Sequence, residues 1–145
     1  MFKHILLPTD GSELSQSAVR QGVQLAKSLN ARVTGLAVMP VQHAFYGEVV
    51  MPAEAIEAAE GRCRDFASSN LAMIERTARE AEVPCEMLSE RSDHPYEVII
   101  RTAAQKNCDL IMMASHGRKG LNALLIGSET QKVLTHSKIP VLVCR

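Results

Sequence analysis

The sequence predicts an α/β fold: a doubly wound, five-stranded parallel sheet flanked by four helices, in a single domain spanning residues 1–145. Three observations carry that expectation. Short apolar runs alternate with longer stretches of helical periodicity, in the order β-α-β-α-β-α-β-α-β. HILL (4–7), LIMM (110–113) and VLVC (141–144) are apolar without interruption, as strands are when helices cover both faces. The length, 145 residues, suits one core able to fold alone.

The elements follow in order. KHILLP (3–8) is an apolar run stopped by proline, the first strand. In SELSQSAVRQGVQLAKSLN (12–30), Leu14, Ala18, Gly22, Leu25, Ala26 and Leu29 recur at three- and four-residue steps, an amphipathic helix. Ser12 suits its N-cap, Glu13 the positive end of its dipole and Asn30 its stop. RVTGLAVM (32–39), rich in β-branched residues, is the second strand and ends at Pro40. A loop to residue 52 contains Phe45, Tyr46, Gly47 and Pro52.

Residues 53–82 predict one long helix with an inner stripe of Cys63, Phe66, Ala67, Asn70, Ile74, Thr77, Ala78 and Ala81. PCEMLSER (84–91) alternates as a third strand. HPYEVIIRTAAQKN (94–107) is a helix with Pro95 in its first turn. DLIMMA (109–114) is the fourth strand, GSETQKVLTHS (127–137) the last helix and PVLVC (140–144) the last strand. Right-handed crossovers give the double winding.

Composition excludes several classes of function. Sixteen basic residues balance sixteen acidic ones, so no overall basic field draws nucleic acid. Two tyrosines, three phenylalanines and no tryptophan make a base-stacking platform improbable. No segment approaches the ~20 apolar residues of a membrane span, and the start lacks a secretory core, so a cytoplasmic protein is expected. Cys63, Cys85, Cys108 and Cys144 form no C-x-x-C pair and read as small buried hydrophobes, with Cys144 more reactive near the terminus. No histidine pair has metal-ligand spacing, so no metal site is expected.

In doubly wound sheets, ligands bind beyond the carboxyl ends of the strands, where strand order reverses. Three stretches fall there: PTDGS (8–12), AVMP (37–40) and ASHGRKG (114–120). Asp10 offers an acceptor-only carboxylate suited to ribose hydroxyls. Asp-Gly-Ser is equally a turn followed by a cap. In ASHGRKGLNALLIGS (114–128), glycine N–H groups can approach a phosphate closely, and a helix opening at Gly127-Ser128 adds free N–H groups, a hydroxyl and a positive dipole end. Arg118 and Lys119 add charge. A glycine-rich surface loop with solvated cations reads the same way. Neither G-x-x-x-x-G-K-[ST] nor G-x-G-x-x-G is present. His116 is the one histidine inside the glycine loop, and no catalytic constellation is evident.

ILLPTDGS near the start, DLIMMASHGRKGL, and LLIGSETQKVLTHSKIPVLVCR at the end, in this order, resemble the universal stress protein family over essentially the whole chain. The resemblance implies a parallel sheet in order 3-2-1-4-5. It also implies a nucleotide motif G-x-x-G, nine residues, G-[ST]. Here Gly117, the nine residues Arg118 to Ile126, and Gly127-Ser128 match, while Ala114 stands in place of the first glycine. The alanine methyl costs little if φ is negative and introduces strain if φ is positive.

The implied roles are ribose binding by Asp10, an adenine side lined by Pro8, Thr9 and the backbone of Val38, and phosphates among Ser115, His116, Gly117, Gly127, Ser128 and Glu129. Gly120 completes the family's HGRxGL loop. The resemblance further implies a homodimer through the final strand, residues 140–144, whose apolar edge invites pairing. The implied function is an ATP- or AMP-binding stress-response regulator, with Mg²⁺ accompanying ATP. A slow Mg²⁺-dependent ATPase and a nucleotide-free dimeric adaptor are the alternatives. Phe45 or Tyr46 in the 40–52 loop is a candidate gate.

Overall fold

The computed structural model describes residues 1–118 and 125–145. The elements are β1 (His4–Thr9), α1 (Glu13–Leu29), β2 (Arg32–Met39), β3 (Phe45–Tyr46), β4 (Val49–Val50), α2 (Ala53–Glu80), β5 (Cys85–Arg91), α3 (Pro95–Gln105), β6 (Leu110–Ala114), α4 (Ser128–His136) and β7 (Val141–Cys144). Five strands form one parallel sheet in the order β5-β2-β1-β6-β7. With the β3–β4 hairpin set aside, this is 3-2-1-4-5, as expected. Strand order reverses between β1 and β6.

Side chains on a strand alternate between faces, and the uninterrupted apolar runs follow from that. Ile5 and Leu7 face a layer built with Ala18, Val19 and Val23 of α1 and Ile74 and Ala78 of α2. Leu6 faces the other layer, with Val98, Ile99 and Ala103 of α3 and Val133 of α4. Leu110 and Met112 join the first layer, and Ile111 and Met113 the second. All three residues of Ile5–Leu7 are fully buried. Each such side chain contributes about 1.5–3 kcal/mol of transfer free energy.

The helix ends follow local chemistry. Ser12 Oγ accepts the N–H of Ser15 at 3.2 Å, the predicted N-cap of α1. Asn30 stops the helix in the left-handed region at φ 52°. Within α1, a side chain at Gly22 would overlap Leu7 Cδ2, so glycine lets the helix settle onto β1.

Three expectations need correction. The 40–52 loop contains a hairpin, with Phe45 opposite Val50 and Tyr46 opposite Val49. Two-residue strands are too short to show periodicity, although Gly47 at φ 65° marks the turn. Of the α2 stripe only Ala67, Asn70, Ile74, Ala78 and Ala81 are buried; Phe66 is 42% exposed, and Cys63 and Thr77 are half-buried. The cysteines are not uniformly buried: Cys108 and Cys144 are, Cys63 is partly covered, and Cys85 is exposed at the start of edge strand β5. Burial also pushes the Cys144 thiol up in pKa, against heightened reactivity. Among the described residues, no helix is long and apolar enough to cross a membrane.

Candidate functional site

The carboxyl ends of β1, β2, β5 and β6 surround a crevice of ≈ 570 Å³. Leu36, Ile99 and Met113 form its apolar floor. Pro8, Thr9 and Asp10 line one wall and Val38 and Pro40 another. His116, Gly117 and Arg118, with Gly127, Ser128 and Glu129, line the remainder.

The β1–α1 turn is held by its own hydrogen bonds. Ser15 Oγ donates to Thr9 Oγ1 at 2.9 Å, and the Gly11 N–H donates to the same Thr9 oxygen at 3.2 Å. Asp10 Oδ1 accepts the N–H of Ser12 at 3.0 Å, an Asx turn. Its Oδ2 accepts the N–H of Arg118 at 2.8 Å. The turn reading of Asp-Gly-Ser is thus realised, and the second oxygen of the same carboxylate holds the backbone at Arg118.

Opposite, α4 begins at Gly127, whose N–H donates to the Ser115 carbonyl at 2.7 Å. Thr130 Oγ1 donates to the Ala114 carbonyl at 3.0 Å, pinning the first turn of α4 to the end of β6. No side chain caps this helix. The amides of Ser128, Glu129 and Thr130 belong to its first turn, where no intrahelical acceptor exists. The positive end of the helix thus lies at the crevice wall. A Cβ at Gly127 would stand 3.1 Å from His116 Cα, so only glycine lets these segments pass without displacement.

Ser115 and His116 are neighbours, with Oγ and Nδ1 3.1 Å apart. Ser115 is 1% exposed, and its N–H donates to the Cys144 carbonyl at 2.7 Å. Among the described residues, no three His, Cys, Asp or Glu side chains form a metal-binding group.

Residues 1–145 match the Universal stress protein family. The chain belongs to that family. Universal stress protein MJ0531 of Methanocaldococcus jannaschii is 31% identical over 148 residues, covering 100% of this chain and 83% of that protein. The solved structure of MJ0577, from the same organism, superposes with a TM-score of 0.82 at 26% identity, covering 99% of this chain and 96% of that one. An Arabidopsis thaliana universal stress protein solved with AMP bound gives a TM-score of 0.69 at 15% identity, with 98% and 90% coverage.

Of the residues singled out in this universal stress protein, eleven line the crevice: Pro8, Thr9, Asp10, Val38, Ala114, His116, Gly117, Arg118, Gly127, Ser128 and Glu129. Ser115 lies behind it, and Gly120 and Lys119 fall outside the described residues. Ala114 ends β6 opposite Cys144, and its methyl is buried in the α1 layer. Its φ is not positive, so the alanine carries no backbone strain.

Glu129 is already engaged: Oε2 accepts the Tyr96 N–H and Oε1 pairs with Lys132, each at 2.9 Å. The Arg118 guanidinium lies over the Phe66 ring, 4.8 Å from its centroid.

Phe45 and Tyr46 are exposed on the hairpin and do not line the crevice, whereas Pro40 of the same loop does. The loop is tied in by Asp93, whose carboxylate pairs with His43 Nε2 at 2.7 Å and accepts the Val41 N–H at 3.2 Å. The His43 hydrogen bond is the largest influence on Asp93 and, with the Val41 contact, outweighs burial to hold its pKa below the ordinary carboxylate value. Ser92 and Asp93 line the crevice and were missed by sequence reasoning. Their signal is their place at the carboxyl end of the third strand, whereas the candidate stretches 8–12, 37–40 and 114–120 follow the first, second and fourth strands.

Proposed function

We propose that this protein binds an adenine nucleotide in the crevice and acts as a homodimeric regulatory module of the cytoplasmic stress response. One observation carries the reading: the uncapped first turn of α4, which Gly127 lets pack against His116, lines one cavity together with Asp10 and Gly117. Phosphate suits the helix N-terminus, where N–H groups and dipole converge. A ribose diol suits Asp10, and the apolar floor with the Val38 backbone suits a base. The AMP-bound Arabidopsis relative supports the same class of ligand.

The residues fit a binder better than a catalyst. Asp10, Asp93 and Glu129 each hold structural hydrogen bonds. The described residues offer no ligand set for Mg²⁺, which would be carried by the phosphates of ATP and by water. At the sheet's end, Leu142 is 42% exposed between the half-buried Val141 and Val143, an apolar edge suited to pairing with a second copy.

Calorimetry with AMP and ATP tests the reading. Wild type should bind. Gly127→Asp should lose at least about tenfold in affinity, because it places a like charge beside the phosphate and crowds His116. Equal binding by both proteins would refute this site.

A further inference from the structure

The segment His116 to Arg118 lines the crevice, and two contacts hold it. The Arg118 N–H donates to Asp10 Oδ2 at 2.8 Å. The Arg118 guanidinium sits over the Phe66 ring of α2, 4.8 Å from its centroid. Gly117 lies so close to Asp10 that a Cβ there would overlap Oδ2. The other oxygen, Oδ1, is taken by the Ser12 N–H. Each Asp10 oxygen thus already accepts one backbone N–H, so a ribose diol has to share Oδ2 with the Arg118 N–H or displace it. The guanidinium that charge would direct to a phosphate is likewise held on an aromatic face.

Phe66 is 42% exposed on α2, between exposed Asp65 and buried Ala67. Its ring reaches the β1–α1 turn, where a Cβ on Gly11 would stand 2.6 Å from Phe66 Cζ. The ring also carries the Arg118 guanidinium.

On the reading that the crevice takes an adenine nucleotide, we infer that Asp10 and Phe66 form a two-point latch on Arg118 that competes with the ligand. Ribose takes Asp10 from the Arg118 amide, and phosphate takes the guanidinium from Phe66. Binding then moves the 116–118 segment away from the β1–α1 turn and from α2. Nucleotide occupancy is thereby read out at the surface of α2. A latch of this kind lowers apparent affinity by the fraction of molecules left unlatched, so weakening it strengthens binding.

Phe66→Ala tests the latch, because Phe66 lies outside the crevice and its partial exposure makes truncation tolerable to the fold. Affinity for AMP and for ATP is measured by calorimetry, and exchange of the Arg118 backbone amide by hydrogen-exchange NMR. The variant should bind about two- to five-fold more tightly, the worth of an exposed cation–π contact, and its Arg118 amide should exchange faster. Phe66→Tyr, which keeps the ring, should behave as wild type in both. If wild type binds nucleotide and Phe66→Ala binds equally or more weakly, the latch is refuted while the nucleotide site stands. If neither protein binds AMP or ATP, the nucleotide reading fails and the competition falls with it.

Discussion

Glu129 of α4 accepts the backbone N–H of Tyr96, the second residue of α3, at 2.9 Å. Helix α3 has Pro95 in its first turn and no cap from its own His94, so its cap comes from the neighbouring helix. Replacing Glu129 with alanine should therefore destabilise the fold by about 1 kcal/mol, as lost caps do, while Glu129→Gln retains part of the contact. Urea denaturation measures both. A loss of nucleotide affinity with unchanged stability would instead assign Glu129 to the ligand.

The two small residues of the glycine pattern should separate sharply. Ala114 carries its methyl in the core at negative φ, so Ala114→Gly should leave nucleotide affinity within about twofold and cost about 0.5–1 kcal/mol of stability. Gly117→Ala should push the segment off Asp10 and cost about 1 kcal/mol, the worth of the Arg118–Asp10 hydrogen bond it breaks. Calorimetry and denaturation on the two variants decide it. A large gain in affinity for Ala114→Gly would show that the methyl reaches the ligand.

Gly22 should tolerate no side chain despite its helical position. Gly22→Ala gains up to about 1 kcal/mol in helix propensity. Its methyl would overlap Leu7 Cδ2, and relieving that overlap costs about 1–3 kcal/mol. Net destabilisation in a urea titration is expected, and net stabilisation would show that α1 shifts freely over β1.

His4 should make stability depend on pH. It is 4% exposed, with Nδ1 3.1 Å from the Lys106 carbonyl and Nε2 2.7 Å from Thr34 Oγ1. Burial, aided by Arg32, lowers its pKa below the ordinary histidine value despite opposing help from the Lys106 carbonyl and Asp109. The folded state thus binds fewer protons at His4 than the unfolded chain. Its stabilising contribution is complete above the unfolded value of about 6.5, and falls as pH drops through that value toward the lower folded one. Between about pH 7.5 and 5, wild type should lose more stability than His4→Gln. Parallel curves would show that other groups dominate.

The sheet was legible because its chemistry is local. HILL and LIMM announce strands covered on both sides, and Ser12, Asn30 and Pro95 mark helix ends through groups they themselves supply. The site was legible where position in the fold class implies it, as with Asp10 and Gly127. What escaped depends on partners distant in sequence. Nothing near Glu129 shows that Tyr96 needs a cap, and nothing near Phe66 shows that Arg118 will lie over it. The hairpin escaped because two residues per strand carry no period.

The central claim is that this crevice holds an adenine nucleotide. It is tested most directly by purifying the protein without added nucleotide, denaturing it, identifying what is released by chromatography and mass spectrometry, and titrating any empty protein with AMP and ATP. AMP or ATP at about one per chain, released or bound on titration, is the expected result for a single crevice. A protein that releases none and binds neither would contradict the account.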